Sequence, residues 1–414
     1  MKLSEELQYR GFVNQTTFKD LSALDGDPIT FYWGVDPSAD SMTIGNFAMA
    51  MMVRHFIDYG HKAILLVGGA TGLIGDPDGK AQERDLRTKE EVQHNKDGLA
   101  AQYRTAFAGK SFEIVDNYDW FKDLGYLEFL RDVGKHVPMR QMLGREFVQS
   151  RLSEEGAGIS YAEFSYALIQ GYDFLHLYQE KGATLQVAGA DQWGNSIAGV
   201  ELIRRITGNE AHVWTGPLVI NKATGVKFGK TESGAIWLDP AKTTPTQFYQ
   251  FWVNCDDEGV EYYMKIYTLL SKEEIEAVME VQRTTPGHRI AQIKLAEEVT
   301  RLVHGEEALH TAQRVTDCLT GTLPVGEAAD IVSALRAEIP AVHASDHGSI
   351  IEALTESGLA ASNTEARRFL KENAISINGQ KIQRENFETS DFQNGRLLLR
   401  RGKAYKDSAL VELG

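Results

Sequence analysis

The sequence predicts an α/β protein built on a doubly wound parallel sheet, followed by an all-α region and a small α+β domain. Three observations carry this. A short apolar run, Phe31-Tyr32-Trp33-Gly34-Val35, leads through a polar turn into an Ala- and Met-rich helix, and then into a second apolar run, Ala63 to Val67. Strand, turn, helix and strand in that order make a βαβ unit, which implies parallel strands. The same grammar returns at Thr184 to Asn195, where Thr184-Leu185-Gln186-Val187-Ala188-Gly189 feeds the polar turn Ala190-Asp191-Gln192. From Thr244 to about Gly321 the apolar residues recur at helical spacing, and near the end Asn378-Gly379 separates two alternating runs, a hairpin signal.

The first unit sets the expected site. Its helix body is read as Phe47 to Tyr59, with Gly60 as the stop. Ligands of such Rossmann-like sheets sit beyond the carboxyl ends of the strands. Here that end carries Gly34, Asp36, Ser38, Asp40, Ser41 and Thr43, ahead of Gly45 and Asn46. Free N–H groups and the helix dipole favour an anion there. The next segment, Gly68 to Lys80, resembles a phosphate loop only superficially. Three residues separate Gly75 from Gly79 where that motif needs four, and Ala81 stands where it needs Ser or Thr. Asp76 on this glycine-rich turn suits an ammonium group better. Residues 82–110 read as a charged helical excursion over the site, with Lys80 and Arg84 at its root.

The stretch Glu163 to Tyr178 is apolar nearly all round, so it reads as a buried helix. Tyr166, Gln170 and Asp173 fall on one face of it, and a stripe of phenol, amide and carboxylate suits a pocket for a polar small molecule. Residues 218–239 form a glycine-bearing loop with Lys222, Lys227 and Lys230, a candidate polyphosphate clamp.

Composition narrows the class. The chain has 414 residues, 43% hydrophobic and 24% charged, and a net charge of −15, which excludes a general nucleic-acid coat protein. Residues 348–414 nevertheless hold ten Lys and Arg against nine Asp and Glu. There Arg367, Arg368, Lys371, Lys381 and Arg384 gather beside the hairpin as a candidate RNA-backbone reader. Cys255 and Cys318 lie far apart without metal-ligand spacing, so neither a disulfide framework nor a protein-held metal is expected. Apolar runs fall short of a membrane span and no signal peptide stands out, which points to the cytoplasm.

Five segments, YWGVDPSADSMTIGN, VGGATGLIGDPDGK, EFSYALIQGYDF, AGADQWGN and KFGKTESGAIWLD, occur in this order at family-like spacing. Together they resemble the bacterial tyrosyl-tRNA synthetases, class I aminoacyl-tRNA synthetases, over essentially the whole chain. The resemblance implies a catalytic domain at 1–240, a helical anticodon-side domain at 241–321, a linker at 322–346 and a small RNA-binding domain at 347–414. It implies that Tyr32 and Asp173 bind the phenol of L-tyrosine, that Asp76, Tyr166 and Gln170 hold its α-ammonium, and that Gln192 lies near its carboxylate. For ATP it implies Gly34, Asp36, Ser38, Gly45 and Asp191 on the nucleotide. Lys227, Lys230 and Thr231 of the second signature, with Lys80 and Arg84, would meet the pyrophosphate. Magnesium would arrive with ATP, tRNA(Tyr) would be the acceptor, and the protein would be a homodimer.

Two positions depart from the family pattern. The first signature, usually His-x-Gly-His, is Thr43-Ile44-Gly45-Asn46, and Trp33 stands where a small cysteine is common. The departure at 43–46 motivates one alternative, an RNA-binding or regulatory paralogue that kept the scaffold but lost adenylation.

Overall fold

The computed structural model describes residues 1–76, 87–153, 156, 158–231, 234–402 and 407–414; for Gln141, Glu146, Phe147, Lys230 and Thr231 it describes the backbone. Lys80 and Arg84 therefore lie outside the described residues, as do the side chains of Lys230 and Thr231. The chain forms two compact units, Met1–Asp239 with Asp256–Ala291, and Pro240–Cys255 with Gln292–Gly414.

The first unit is built on six strands: β1 (Gln15–Thr16), β2 (Thr30–Val35), β3 (Lys62–Val67), β4 (Phe112–Asp116), β5 (Leu185–Gly189) and β6 (His212–Gly216). Their order is β1-β6-β5-β2-β3-β4. β1 runs antiparallel to β6 and the remaining pairs are parallel. The chain travels outward from β2 through β3 to β4, then returns to the other side of β2 for β5 and β6. The strand order reverses between β2 and β5, which is where such a sheet opens a crevice at its carboxyl ends. Every residue of β5 and all of β3 after Lys62 are buried, as expected for parallel strands covered on both faces. Alternation along β2 sends Tyr32 to one face against Phe174, with ring centroids 5.2 Å apart, and Trp33 to the other against Tyr103 at 5.4 Å.

The helices at the crevice follow local signals. Ile44–Asp58 begins three residues before the apolar run, because Thr43 caps it, and ends where Gly60 adopts φ 94°. Tyr161–Lys181 is capped by Ser160, whose oxygen accepts from the Glu163 N–H, and ends at Gly182 in the left-handed region. Trp193–Thr207 links β5 to β6. Within the predicted glycine-rich turn, Thr71–Ile74 closes into one helical turn. The helix Lys89–Ala106 falls within the charged helical excursion expected at 82–110. A Cβ at Gly98 would stand 2.0 Å from the Asp40 carbonyl oxygen, so this helix lies directly on the loop after β2.

Residues 256–291 belong with this sheet because a buried arginine holds them. Arg10, 2% exposed, donates from Nη1 to the carbonyls of Lys265 and Thr268 at 2.8 and 2.9 Å and from Nη2 to that of Leu270 at 2.7 Å. Its Nε pairs with Glu6 at 2.6 Å, so the charge is matched where water is excluded. Two short strands, β7 (Lys230–Thr231) and β8 (Gly234–Ala235), form the hairpin of the second signature.

The second unit contains the helix Pro245–Val253 and most of Ile290–Thr320, which is interrupted at Gly305 (φ 85°, ψ 173°). Its sheet comprises β9 (Ala341–Ala344), β10 (Ile375–Ile377), β11 (Gln380–Lys381), β12 (Arg396–Arg401) and β13 (Ser408–Leu413), in the order β11-β10-β12-β13-β9. The expected hairpin is present, with Asn378 at φ 48° and Gly379 at φ 83° carrying the turn. Residues 322–346 are packed rather than extended. Val325, Ile331 and Leu335 are buried in one cluster with Val315, Leu398 and Leu410, and β9 pairs in parallel with β13. The sequence of this stretch is sparse in apolar anchors, and those few are enough because strands far along the chain cover them. Among the described residues, no helix is long and apolar enough to cross a membrane.

Candidate active site

At the crevice between β2 and β5 a continuous run of hydrogen bonds crosses the first unit. Tyr166 donates its hydroxyl to Asp36 Oδ2 at 2.7 Å, and Thr71 donates to Asp36 Oδ1 at 2.6 Å. Asn117, fully buried, donates from Nδ2 to Thr71 Oγ1 and to Asp173 Oδ2, both at 3.1 Å, and accepts from the Ala70 N–H at 2.7 Å. Trp120 Nε1 donates to Asp173 Oδ1 at 2.9 Å. Each oxygen of the two carboxylates thus has a donor, which is what burial of such groups demands.

Beside this network the Tyr32 hydroxyl is buried and has no hydrogen-bond partner among the described residues. Burial and the neighbouring Asp173 push that phenol well above its ordinary range. Burial likewise raises the Asp173 carboxyl to about 8, against the opposing pull of the Asn117 and Trp120 donors. Burial, then Asp36 and Asp76, raises the Tyr166 phenol. A buried phenol without a partner, beside a carboxyl with two fixed donors, is a site shaped for a further polar group such as a hydroxyl.

The opposite end is acidic and built by a second relay. Gln192 donates from Nε2 to Asp76 Oδ2 at 2.6 Å, Asn195 donates to Gln192 Oε1 at 3.1 Å, and Arg145 bonds Asn195 in turn. Gln170 is half-buried and has no hydrogen-bond partner among the described residues, so its amide is available. Asp36, Asp76, Tyr166, Gln170 and Gln192 together offer an ammonium group several acceptors.

The signature segments meet beside this pocket. Thr43 and Asn46 are bound to each other: the Thr43 hydroxyl donates to Asn46 Oδ1 at 3.0 Å and the Thr43 N–H donates to the same atom at 3.1 Å. This is a reciprocal cap of the helix Ile44–Asp58. The Thr43 donor is engaged, whereas Asn46 Nδ2 has no partner among the described residues. The Ile44 N–H donates to the Ile236 carbonyl at 3.1 Å, and the Ile236 N–H donates to that of Gly229 at 3.0 Å. A Cβ at Gly229, which has φ 85°, would lie 2.4 Å from Ile44 Cγ1. Both signatures are therefore joined through backbone. Gly34, Ser38, Gly45 and Lys227 are exposed around them. Burial raises the Asp191 carboxyl, and Lys227 opposes that shift, which places the two within electrostatic reach. Lys222 lies apart, with Nζ 4.6 Å over the Tyr262 ring. Trp33 is 3% exposed and packed on Tyr103, so its bulk is absorbed by the core.

Sequence reasoning passed over Thr71, Asn117 and Trp120. The available signal was a polar run directly after β4, Asp116 to Trp120, at the carboxyl end of a parallel strand. Among the described residues, no cluster of His, Cys, Asp and Glu could hold a metal ion.

Comparison with known proteins agrees with this architecture. Residues 24–320 match the family model described as tRNA synthetases class I (W and Y), and residues 330–406 match a tyrosine–tRNA ligase SYY-like C-terminal domain. The chain belongs to the class I tRNA synthetases. Within them its relatives are tyrosine–tRNA ligases. It is 48% identical over 391 residues to that of Bacillus caldotenax, covering 92% of each chain. With the ligase of Escherichia coli O139:H28 it shares 45% over 411 residues, covering 97% of each. Among solved structures, a C-terminally truncated mitochondrial tyrosyl-tRNA synthetase of Aspergillus nidulans aligns with a TM-score of 0.68 at 31% identity, covering 75% of this chain and 92% of that one.

The network makes a direct prediction. Asn117→Ala removes the donor shared by Thr71 and Asp173 and the acceptor of the Ala70 N–H. Thr71 keeps Asp36, but the Ala70 N–H and Asp173 Oδ2 are left unpaired at about 1–3 kcal/mol each, so the variant should lose roughly 2–6 kcal/mol of stability in a urea titration.

Proposed function

We infer that this protein attaches L-tyrosine to tRNA(Tyr) at the expense of ATP, through a tyrosyl-adenylate. The observation that carries the reading is the partnerless buried hydroxyl of Tyr32 beside Asp173, on a scaffold that its relatives use as tyrosine–tRNA ligases. A substrate phenol completes that pair. Asp76, Tyr166 and Gln170 take the α-ammonium, with Asp36 orienting Tyr166 by its hydrogen bond. Gln192, aligned by Asp76 and Asn195, faces the α-carboxylate.

That carboxylate is already ionised near pH 7, so its attack on the α-phosphate needs no general base. The residues supply position and charge. Gly34, with no side chain, lets the nucleotide approach the backbone, and Asp191 takes the ribose. Ser38 and Gly45 border the phosphates. Asn46 donates to the developing charge from Nδ2, and Thr43 fixes its orientation. Lys227, Lys230 and Thr231, together with Lys80 and Arg84, meet the departing pyrophosphate. Magnesium enters as part of the ATP substrate.

For tRNA the described residues of the small domain include the unengaged cations Lys371 and Lys381. Arg367, Arg368 and Arg384 pair with Glu385, Glu365 and Asp391 respectively, whereas Lys371 and Lys381 are exposed without a carboxylate partner among the described residues. A second copy of the chain is the natural cover for Tyr126, Leu127, Met139, Leu152 and Tyr161, large apolar side chains exposed within one segment. The cytoplasm is where a tRNA acceptor and ATP meet.

Tyrosine-dependent exchange of pyrophosphate into ATP tests the reading, since a scaffold-only RNA binder would not catalyse it. Tyr32→Phe and Asp173→Asn should both erode the preference for tyrosine over phenylalanine. A pocket built to hydrogen-bond a hydroxyl leaves its own groups unpaired when the analogue enters, and tyrosine–tRNA ligases are themselves the standard example of this effect. No exchange by the intact chain would reject the enzyme reading, and unchanged selectivity would move the phenol site elsewhere.

The Asp173 carboxyl gives this pocket a pH signature. Near pH 7 it is mostly protonated in the empty site, because its pKa stands at about 8. A substrate phenol donating to it favours the ionised form, so binding tyrosine expels a proton. Tyrosine affinity should therefore rise from pH 6 to about 8 and then level off. Each unit by which binding lowers that pKa adds about tenfold. Calorimetric titration should show this rise for tyrosine and none for phenylalanine or for Asp173→Asn.

Joint replacement of Lys371 and Lys381 by Ala should weaken tRNA binding and lower the slope of log affinity against log salt by about 1–2, at roughly 0.7–0.9 per phosphate contact. Pyrophosphate exchange should be unchanged. Filter binding across a salt series reads both outcomes.

A further inference from the structure

We propose that Tyr263 is a positioning residue for the phosphate-binding lysines, acting through the loop that carries them. The proposal rests on the function inferred above and adds a residue outside both signatures. Residues 219–228 fold into a small hairpin: the Phe228 N–H donates to the Val219 carbonyl at 2.9 Å and the Asn221 N–H to that of Val226 at 2.8 Å. Its exposed strand ends in Lys227, and the chain then turns inward at Phe228, which is 7% exposed. Phe228 lies flat on the Tyr263 ring, with centroids 4.1 Å apart and planes at 23°.

The Tyr263 hydroxyl grips the other strand of the same hairpin. It accepts the Lys222 N–H at 3.1 Å and donates to Asp256 Oδ2 at 2.7 Å. Asp256 is itself fixed, because its Oδ1 accepts the Gly259 N–H at 2.6 Å at the start of the helix Val260–Tyr267. Tyr263 is fully buried, and a Cβ on Gly259 would stand 2.4 Å from its Cζ, so the ring has one place to lie. One side chain thus holds both strands of the hairpin, on which Lys227 is exposed. Arg10 clamps the loop that ends this helix, which carries the support back to the N-terminal helix Leu3–Arg10.

A lysine that acts on a leaving group must be held in place when charge develops. Its support should therefore act on the rate of adenylate formation and not on tyrosine binding. Tyr263→Phe keeps the stack and removes the hydroxyl's hydrogen bonds, those with Lys222 and Asp256 among them; Tyr263→Leu removes the ring as well; Gly259→Ala leaves Tyr263 intact and displaces it. Pyrophosphate exchange by Tyr263→Phe should fall roughly three- to tenfold, and that of Tyr263→Leu about ten- to a hundredfold. Gly259→Ala should fall between them. The KM for tyrosine should not change. The decisive arm is a double-mutant cycle: in a Lys227→Ala background the loss caused by Tyr263→Leu should shrink to about twofold.

Equal losses of Tyr263→Leu in the presence and absence of Lys227, or a parallel rise in the KM for tyrosine, would overturn the proposal, because Tyr263 would then support the unit at large. Wild-type rates in Tyr263→Phe and Gly259→Ala together would do the same. Failure of the intact chain to exchange pyrophosphate would instead reject the inferred function, so the two failures are distinct.

Discussion

The bond between Asn117 and Asp173 is the constraint on which the pocket depends. A carboxyl sealed in an apolar interior is costly unless donors surround it. Asn117 and Trp120 give Asp173 one donor for each oxygen and hold the group next to Tyr32. The same Asn117 amide reaches Thr71, and through Thr71 the carboxylate of Asp36 and the phenol of Tyr166. The end of the pocket suited to a phenol and the end suited to an ammonium group are therefore parts of one network.

The altered first signature is accommodated by helix chemistry. In the usual pattern two imidazoles stand at the start of the helix, and here Thr43 and Asn46 occupy those positions and cap each other. The cap satisfies helix N–H groups and fixes the Asn46 amide in one orientation, leaving Nδ2 as the donor. Backbone hydrogen bonds from Ile44 to Ile236 and from Ile236 to Gly229 tie this capped end to the second signature. Gly229 is required at that contact, since a side chain there would overlap Ile44.

Support for the second signature comes from residues that sequence order assigns to a helical domain. Residues 256–291 pack with the parallel sheet because Arg10 takes three of their carbonyls. In the other unit, the stretch expected to link domains supplies a strand and several buried side chains. Domain limits drawn from composition track where apolar residues are sparse. Compactness depends on which distant residues cover the few that are present.

By itself the sequence determined the parallel strands β2, β3 and β5, the buried helix at Glu163 to Tyr178 with Tyr166, Gln170 and Asp173 on one face, and the Asn378-Gly379 hairpin. It also marked the two signature segments. These are legible because periodicity, caps and turn residues act between neighbours a few positions apart. Strands β1 and β6 were not legible: β1 is two residues long, and its pairing with β6 is set across about 200 positions. Tertiary structure alone decided which polar groups are satisfied. Tyr166 finds Asp36 at a separation of 130 residues, Gln192 finds Asp76 at 116, and Asn117 finds Asp173 at 56. A hydrogen bond needs partners within about 3 Å, and no local pattern encodes a partner that only folding brings near. That is why the bond by which Asp36 orients Tyr166 has no trace in sequence, and why the polar run after β4 marks the place of Asn117 without naming its partners.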